Sequence, residues 1–196
     1  MSTKSSALFS AGDFMLLVVA GFWGATYLVV KDLGNVGSIG GMMAIRFVIA
    51  AVGLWAYWLY KRDKFQKQEW IMGIAFGLSQ TIVLNLEAWS VHITSATNGG
   101  LIIALAIITV PILESAWRKN WLPYKFFIAT SVAVIGLALL IMGNGFVEPN
   151  IGDLFMFLAM VLRTFHFVIL GRLTQGKSYS PVNLTTVMVS TSGLIM

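Results

Sequence analysis

Six apolar stretches, each about as long as a bilayer is thick, set the terms for any fold of this chain. They run from Phe14 to Leu33, Ile39 to Tyr60, Trp70 to Val91, Ser95 to Trp117, Tyr124 to Gly143 and Gly152 to Arg172. A helix crosses about 30 Å of hydrocarbon with about 20 residues at about 1.5 Å each, so each stretch is a span. Lipid offers no partner to an unpaired backbone group, which excludes open strands. The expected fold class is therefore an all-α integral membrane protein, a multi-span helical bundle. A seventh apolar stretch follows Pro181, a residue suited to a first helical turn, and runs from Val182 to Met196. That covers only about 22 Å, so the chain is expected to stop inside a helix.

Composition supports this reading and closes others. Charged residues make up 11% of the 196 positions and hydrophobic ones 58%, against about 25% charged in an ordinary soluble domain. There is no cysteine, so disulfides, thiolate nucleophiles and thiolate-bound metals are out of the question. A net charge of +5 would raise nucleic acid as a partner in a soluble protein. Here the basic residues lie between the apolar stretches, and no nucleic-acid partner is expected.

Their distribution gives an orientation. Lys61, Arg62, Lys64 and Lys67, then Arg118, Lys119 and Lys125, then Arg172 and Lys177 occupy alternate loops, on the same side as Lys4. The opposite loops hold only Lys31. The positive-inside rule then puts the N-terminus in the cytoplasm, with the protein multi-pass in the cytoplasmic membrane. The first span has no small-residue cleavage site after it and is read as retained. Trp70, Trp117, Trp121 and Tyr60 mark span ends, where an amphipathic ring sits at headgroup level.

Sliding the chain on itself by 140 residues lays Gly12-Asp13 on Gly152-Asp153, Tyr27 on Phe167 and Leu33 on Leu173. A unit of five helices, an odd number, would enter the membrane from the other side in its second copy, giving an inverted repeat of the kind used by secondary transporters. The expected organisation is a first repeat over 12–143 and the beginning of a second over 152–196.

The segments Phe22-Trp23-Gly24-Ala25-Thr26-Tyr27, Ala44-Ile45-Arg46-Phe47, Thr94-Ser95-Ala96-Thr97-Asn98-Gly99-Gly100 with Pro111, and Ile135-Gly136-Leu137-Ala138-Leu139-Leu140 resemble the EamA-type transporters of the drug/metabolite transporter superfamily. The resemblance implies a five-helix unit used twice. It also implies export or exchange of metabolites, amino acids or drugs through a central cavity, with both termini in the cytoplasm. It covers the first unit and the start of a second; three and a half helices of that second unit are absent.

Ionisable and polar residues inside spans are the candidate solute-binding positions, because a charge in hydrocarbon costs about 2.5 to 3.5 kcal/mol even on the lenient insertion scale. Arg46 in the second span and Glu87 in the third lie at similar depths, so one expectation is an Arg46–Glu87 ion pair, which an anionic or zwitterionic solute could break. The alternative is that Arg46 snorkels while Glu87 reaches interfacial water. Gly73, Gly77, Gln80, Leu84 and Glu87 share one face of the third span, which must meet protein or water. Gly73 and Gly77 form a GxxxG suited to close helix approach, leaving Gln80 and Glu87 for a cavity. Arg163 and His166 are one turn apart in the sixth span, where two readings are open: proton coupling, or Arg163 paired with a carboxylate while His166 makes one ordinary buried hydrogen bond. Trp23 and Tyr27 share a face of the first span, as cavity wall or as helix packing. Asn98 opens the fourth span, where free N–H groups and the helix dipole suit a carboxylate, and Pro111 should kink that helix.

Two motif matches carry no weight. Gly171 to Ser178 reads GRLTQGKS, which fits the P-loop expression, but a membrane span precedes it where a strand is required. Asn183-Leu184-Thr185 fits a glycosylation acceptor at the start of a span on the cytoplasmic side. With no metal-ligand spacing and no catalytic constellation, neither an enzyme nor a cofactor is expected. The expected function is transport of a small organic solute by alternating access in the lipid bilayer, as efflux. The alternative is a half-size, non-transporting subunit that completes its fold as a homodimer or with another chain.

Overall fold

The computed structural model describes residues 11–33, 38–144 and 148–196. Eight helices follow in order: α1 (Ala11–Leu33), α2 (Ile39–Lys61), α3 (Lys67–Ile93), α4 (Ala96–Ala104), α5 (Ala106–Arg118), α6 (Tyr124–Asn144), α7 (Ile151–Thr174) and α8 (Pro181–Ile195). The helices coincide with the expected stretches. Among the described residues four are long and apolar enough to cross a membrane, namely Gly40–Lys61, Lys67–Ile93, Thr97–Arg118 and Ile151–Thr174. The described apolar segments of the other two, Gly12–Phe22 and Tyr124–Gly136, are shorter.

The fourth span is made of α4 and α5, which abut at Leu105. The Leu105 N–H turns to the carbonyl of Ile102 at 3.2 Å, a tightened turn just ahead of Pro111. Pro111 itself lies inside α5, where a proline cannot donate and crowds the carbonyl four residues back, that of Ile107; the tightened turn at Leu105 lies two residues before that point.

The packing order across the bundle is α2, α8, α3, α7, then α4 and α5; α1 lies against α3 and α4, and α6 against α4. The α3/α8 contact rests on the glycines. A Cβ on Gly73 would lie 2.5 Å from the Cβ of Val187, and one on Gly77 would lie 2.7 Å from the Cβ of Thr191 and 2.8 Å from the Met188 carbonyl. Without those methyls the Ser192 hydroxyl donates to the Gly77 carbonyl at 3.0 Å. The GxxxG thus does what its spacing suggests, and its partner is α8.

Two buried or half-buried carboxylates tie the helix ends. At the start of α3, Glu69 accepts from the Gln66 N–H at 2.9 Å, the Ser180 N–H at 2.7 Å and the Asn183 side-chain amide at 3.2 Å. It therefore caps α3 and α8 together. At the start of α7, Asp153 accepts from the Asn150 N–H at 2.8 Å, from the Thr94 hydroxyl and from the Asn98 amide at 3.3 Å. The Asp153 tie joins helix ends at one end of the bundle, and the Glu69 tie puts the α2–α3 and α7–α8 loops at the other. The Arg118 guanidinium, which donates to Gln175 at 2.7 Å, brings the end of α5 to the same place. The nine basic residues from Lys61 to Lys177 that the loop count assigns to one side are thereby gathered at one end, together with the aromatic cluster of Trp55, Trp58, Phe65 and Trp70.

Candidate functional site

The facing surfaces of α3 and α7 hold the buried charges. On α3 the residues Phe76, Val83, Glu87 and Ser90 recur at spacings of seven, four and three residues, all on the helical period, and are buried. On α7 the buried residues include Gly152, Met156, Ala159, Met160, Arg163 and His166. Both faces follow the helical period, so the polar members are carried into the interface by the same geometry that buries the apolar ones.

At its centre Arg163 and Glu87, each 6% exposed, form an ion pair. The Nη2 of Arg163 donates to Oε2 of Glu87 at 2.6 Å and lies 2.5 Å from Oε1. The approach to Oε1 is too oblique for a hydrogen bond, so that oxygen has charge contact without a directed donor. A carboxylate in so dry a place accepts several bonds when it is fully satisfied. Glu87 is held by one cation.

A turn further along α7, His166 is 5% exposed with its Nδ1 2.6 Å from the Ser79 hydroxyl. Ser79 also donates to the Phe76 carbonyl at 3.1 Å. A hydroxyl has one hydrogen, so with that bond made the imidazole Nδ1–H is the donor to Ser79, and Nε2 is left as an acceptor without a partner. Phe76 and Phe167 close on the ring edge to face, at 5.4 and 5.5 Å between centroids. A cleft of about 290 Å³ opens beside this ring between α3 and α7, with Ser79, Ile82, Leu162 and Phe165 in its walls. Glu87 and Arg163 do not line it. Across the other flank of α7 the Thr109 and Thr164 hydroxyls meet at 2.8 Å.

The expected Arg46–Glu87 pair is not formed. Glu87 pairs with Arg163, and Arg46 lies on an exposed flank of α2 with Nη1 directed at the Met43 sulfur at 3.6 Å. The reason is the packing order: α8 is inserted between α2 and α3 over most of their length, so equal depth does not make the two residues neighbours. Gln80 and Leu84 are half-buried on α3, as the small and polar stripe requires. At the opening of the fourth span the Asn98 side-chain amide donates to Asp153, and the Asn98 N–H donates to the Ser95 hydroxyl. The side chains of Trp23 and Tyr27 lie outside the described residues. Glu69, Ser79, Thr164 and Asp153 as a cross-helix cap were not singled out by sequence. An E or D three residues after Gln66 or Asn150 is the capping-box signal that marks two of them. Among the described residues no group of three or more His, Asp or Glu is placed to hold a metal.

A bundle of long apolar helices with an ion pair buried between two of them defines a polytopic membrane protein. Residues 10–142 match the model of the EamA-like transporter family, two thirds of the chain, and the protein belongs to that family. It is thus a membrane transporter of the drug/metabolite transporter superfamily. No curated protein matches the chain, and no solved structure does.

Proposed function

We propose that the protein carries a small organic solute with at least one charged group out across the cytoplasmic membrane by alternating access, and that the solute engages the Glu87–Arg163 pair. The supporting observation is the pair itself. Two charges are held in the dry interface of α3 and α7 with one carboxylate oxygen short of a directed donor. A fixed structural pair is stable only when its remaining lone pairs and protons are satisfied; one left partly open is ready to exchange partners. An incoming carboxylate would take Arg163 bidentately, and an incoming ammonium would take the open oxygen of Glu87.

In this reading Gln80, on the same face of α3, and His166 with Ser79 flank the path. Trp23 and Tyr27 of α1, a helix packed against α3 and α4, supply aromatic wall. Asn98 acts through Asp153 at the far end, and Arg46 attracts anionic solutes rather than binding them. Gathering of the basic loops at one end supports a cytoplasmic N-terminus, and α7 and α8 are read as the beginning of an inverted second repeat.

The test is transport in proteoliposomes against a panel of amino acids, organic acids and organic cations, with Glu87→Gln and Arg163→Gln. Either substitution should lower the rate for the transported solute at least ten-fold. Rates equal to the parent protein for both would end this assignment of the site.

A further inference from the structure

The basic end of the bundle carries a second arrangement that solute transport leaves unused. In the last turn of α7 the Arg172 guanidinium sits 4.5 Å above the centre of the Trp117 ring, and Trp117 is 48% exposed. Next to it, Arg118 is shared between Glu114 at 2.5 Å and Gln175 at 2.7 Å. Glu114 pairs with Arg118, Lys119 follows it in sequence and Arg172 lies on Trp117, so the balance of charge where α5 and α7 end is positive.

From this cluster a groove of about 440 Å³ runs between α5 and α7 toward the middle of the bundle, from Ala116, the neighbour of Trp117, back to Leu105. Eleven residues of helix separate its ends, about 16 Å of length. Ile108, Ile112 and Leu113 form one wall, and Phe157, Val161 and Phe165 the other. Thr109 and Thr164 also line it, but their hydroxyls are engaged with each other at 2.8 Å. The mouth is lateral, since Ile112, Phe157 and Phe165 are 36%, 50% and 45% exposed.

An occupant must be apolar for about 16 Å and anionic at one end, and it must enter sideways from the bilayer. We infer that this groove is a seat for an anionic phospholipid, with an acyl chain along α5 and α7 and the phosphate at Arg172 and Arg118. Arg172, held flat on Trp117, presents its N–H edge at headgroup level, and a guanidinium fork matches phosphate oxygens. Glu114 leaves Arg118 when the phosphate arrives, because a carboxylate in water is the easier partner to release.

The experiment is native mass spectrometry of the purified protein in neutral detergent, titrated with phosphatidylglycerol and with phosphatidylcholine of the same chains. Phosphatidylglycerol adducts should dominate, and Arg172→Gln and Arg118→Gln should each reduce that preference about five-fold, as expected for one basic residue at a lipid surface. Arg172→Lys, which keeps the charge but loses the stacked fork, should recover only part of it, and Val161→Trp, which fills the groove, should remove the bound lipid whatever its headgroup. Lys61→Gln, at the same end of the bundle but on α2, should change nothing. Equal binding of the two lipids by the parent protein would overturn the proposal. So would an equal loss in Lys61→Gln, since that is diffuse attraction to a basic surface, or unaltered lipid binding in Val161→Trp.

Discussion

Helix α3 buries two glutamates about 27 Å apart along its axis, and they are buried in opposite ways. Glu69, 1% exposed, accepts two backbone N–H groups and one side-chain amide. All its donors are neutral and fixed by helix starts, and the positive ends of α3 and α8 both point at it. Glu87, 6% exposed, has one charged donor on a flexible side chain and an oxygen that no donor addresses. The first carboxylate is satisfied by two backbone N–H groups fixed at helix starts and one amide side chain; the second has a single side-chain donor. Burial of a charge therefore does not mark a working site. The completeness and rigidity of its partners distinguish a joint from a site.

The comparison is broken most forcefully at Arg163. Replacing it by Met strands the Glu87 charge, and removing one partner of a buried pair costs about 3 to 5 kcal/mol. Thermal unfolding in detergent should show this as the largest loss of any single change considered. Removing both charges, as Arg163→Met with Glu87→Leu, should restore stability to within about 1 kcal/mol of the parent protein, since apolar replacements of a buried pair are well tolerated. Transport should stay abolished in the double variant. A double variant that transports would make the pair a structural joint like Glu69.

Glu69→Ala comes next. It leaves the Gln66 and Ser180 N–H groups without their side-chain acceptor and the Asn183 amide with only the Lys64 carbonyl at the junction of α3 and α8, at a cost of about 1 to 3 kcal/mol. The expected signature is lowered stability with solute affinity unchanged in the protein that remains folded. A change of solute preference in Glu69→Ala would show that saturation does not exclude a working role.

Gly77→Ala tests the same joint through shape rather than charge. The added methyl would stand 2.7 Å from the Thr191 Cβ and 2.8 Å from the Met188 carbonyl, atoms that move only with the helix. Overpacking of this kind costs about 1 to 3 kcal/mol, to be read as a lowered unfolding midpoint. Gly171→Ala, where nothing lies within 4 Å, is the control and should be neutral or slightly stabilising.

How much of this is legible in the sequence follows from what sequence encodes along a helix and what it does not. Depth is encoded: at a fixed rise per residue, the levels of Arg46, Glu87 and Arg163 can be counted off, and so can the face shared by Gly73, Gly77, Gln80 and Glu87. Lateral order is not. Which arginine meets Glu87 depends on α8 standing between α2 and α3, a fact about helices more than 100 residues apart in the chain. The same limit hid Asp153. Its Gly-Asp start reads as a helix opening, but that the carboxylate also receives Thr94 and Asn98 depends on α7 and α4 beginning side by side. Gly152 permits that approach, since a Cβ there would lie 2.9 Å from the Thr94 nitrogen.

A last pair of variants, which includes the smallest expected effect, separates two hydroxyl contacts made by α7 and refines the rule drawn from the two glutamates. Ser79→Ala removes the hydroxyl that meets Nδ1 of His166. Since Nε2 has no partner, the ring is left without any hydrogen bond, and the loss should be about 1 to 3 kcal/mol, the cost of an unsatisfied buried group. Thr109→Val removes the hydroxyl that meets Thr164, but Thr164 keeps its bond to the Met160 carbonyl at 2.9 Å. The loss there should be no more than about 0.5 to 1.5 kcal/mol, that of one ordinary hydrogen bond. Measured side by side in the same detergent, a larger shift for Thr109→Val than for Ser79→Ala would mean that the number of remaining partners does not set the cost. The distinction between Glu69 and Glu87 would then have to rest on charge alone.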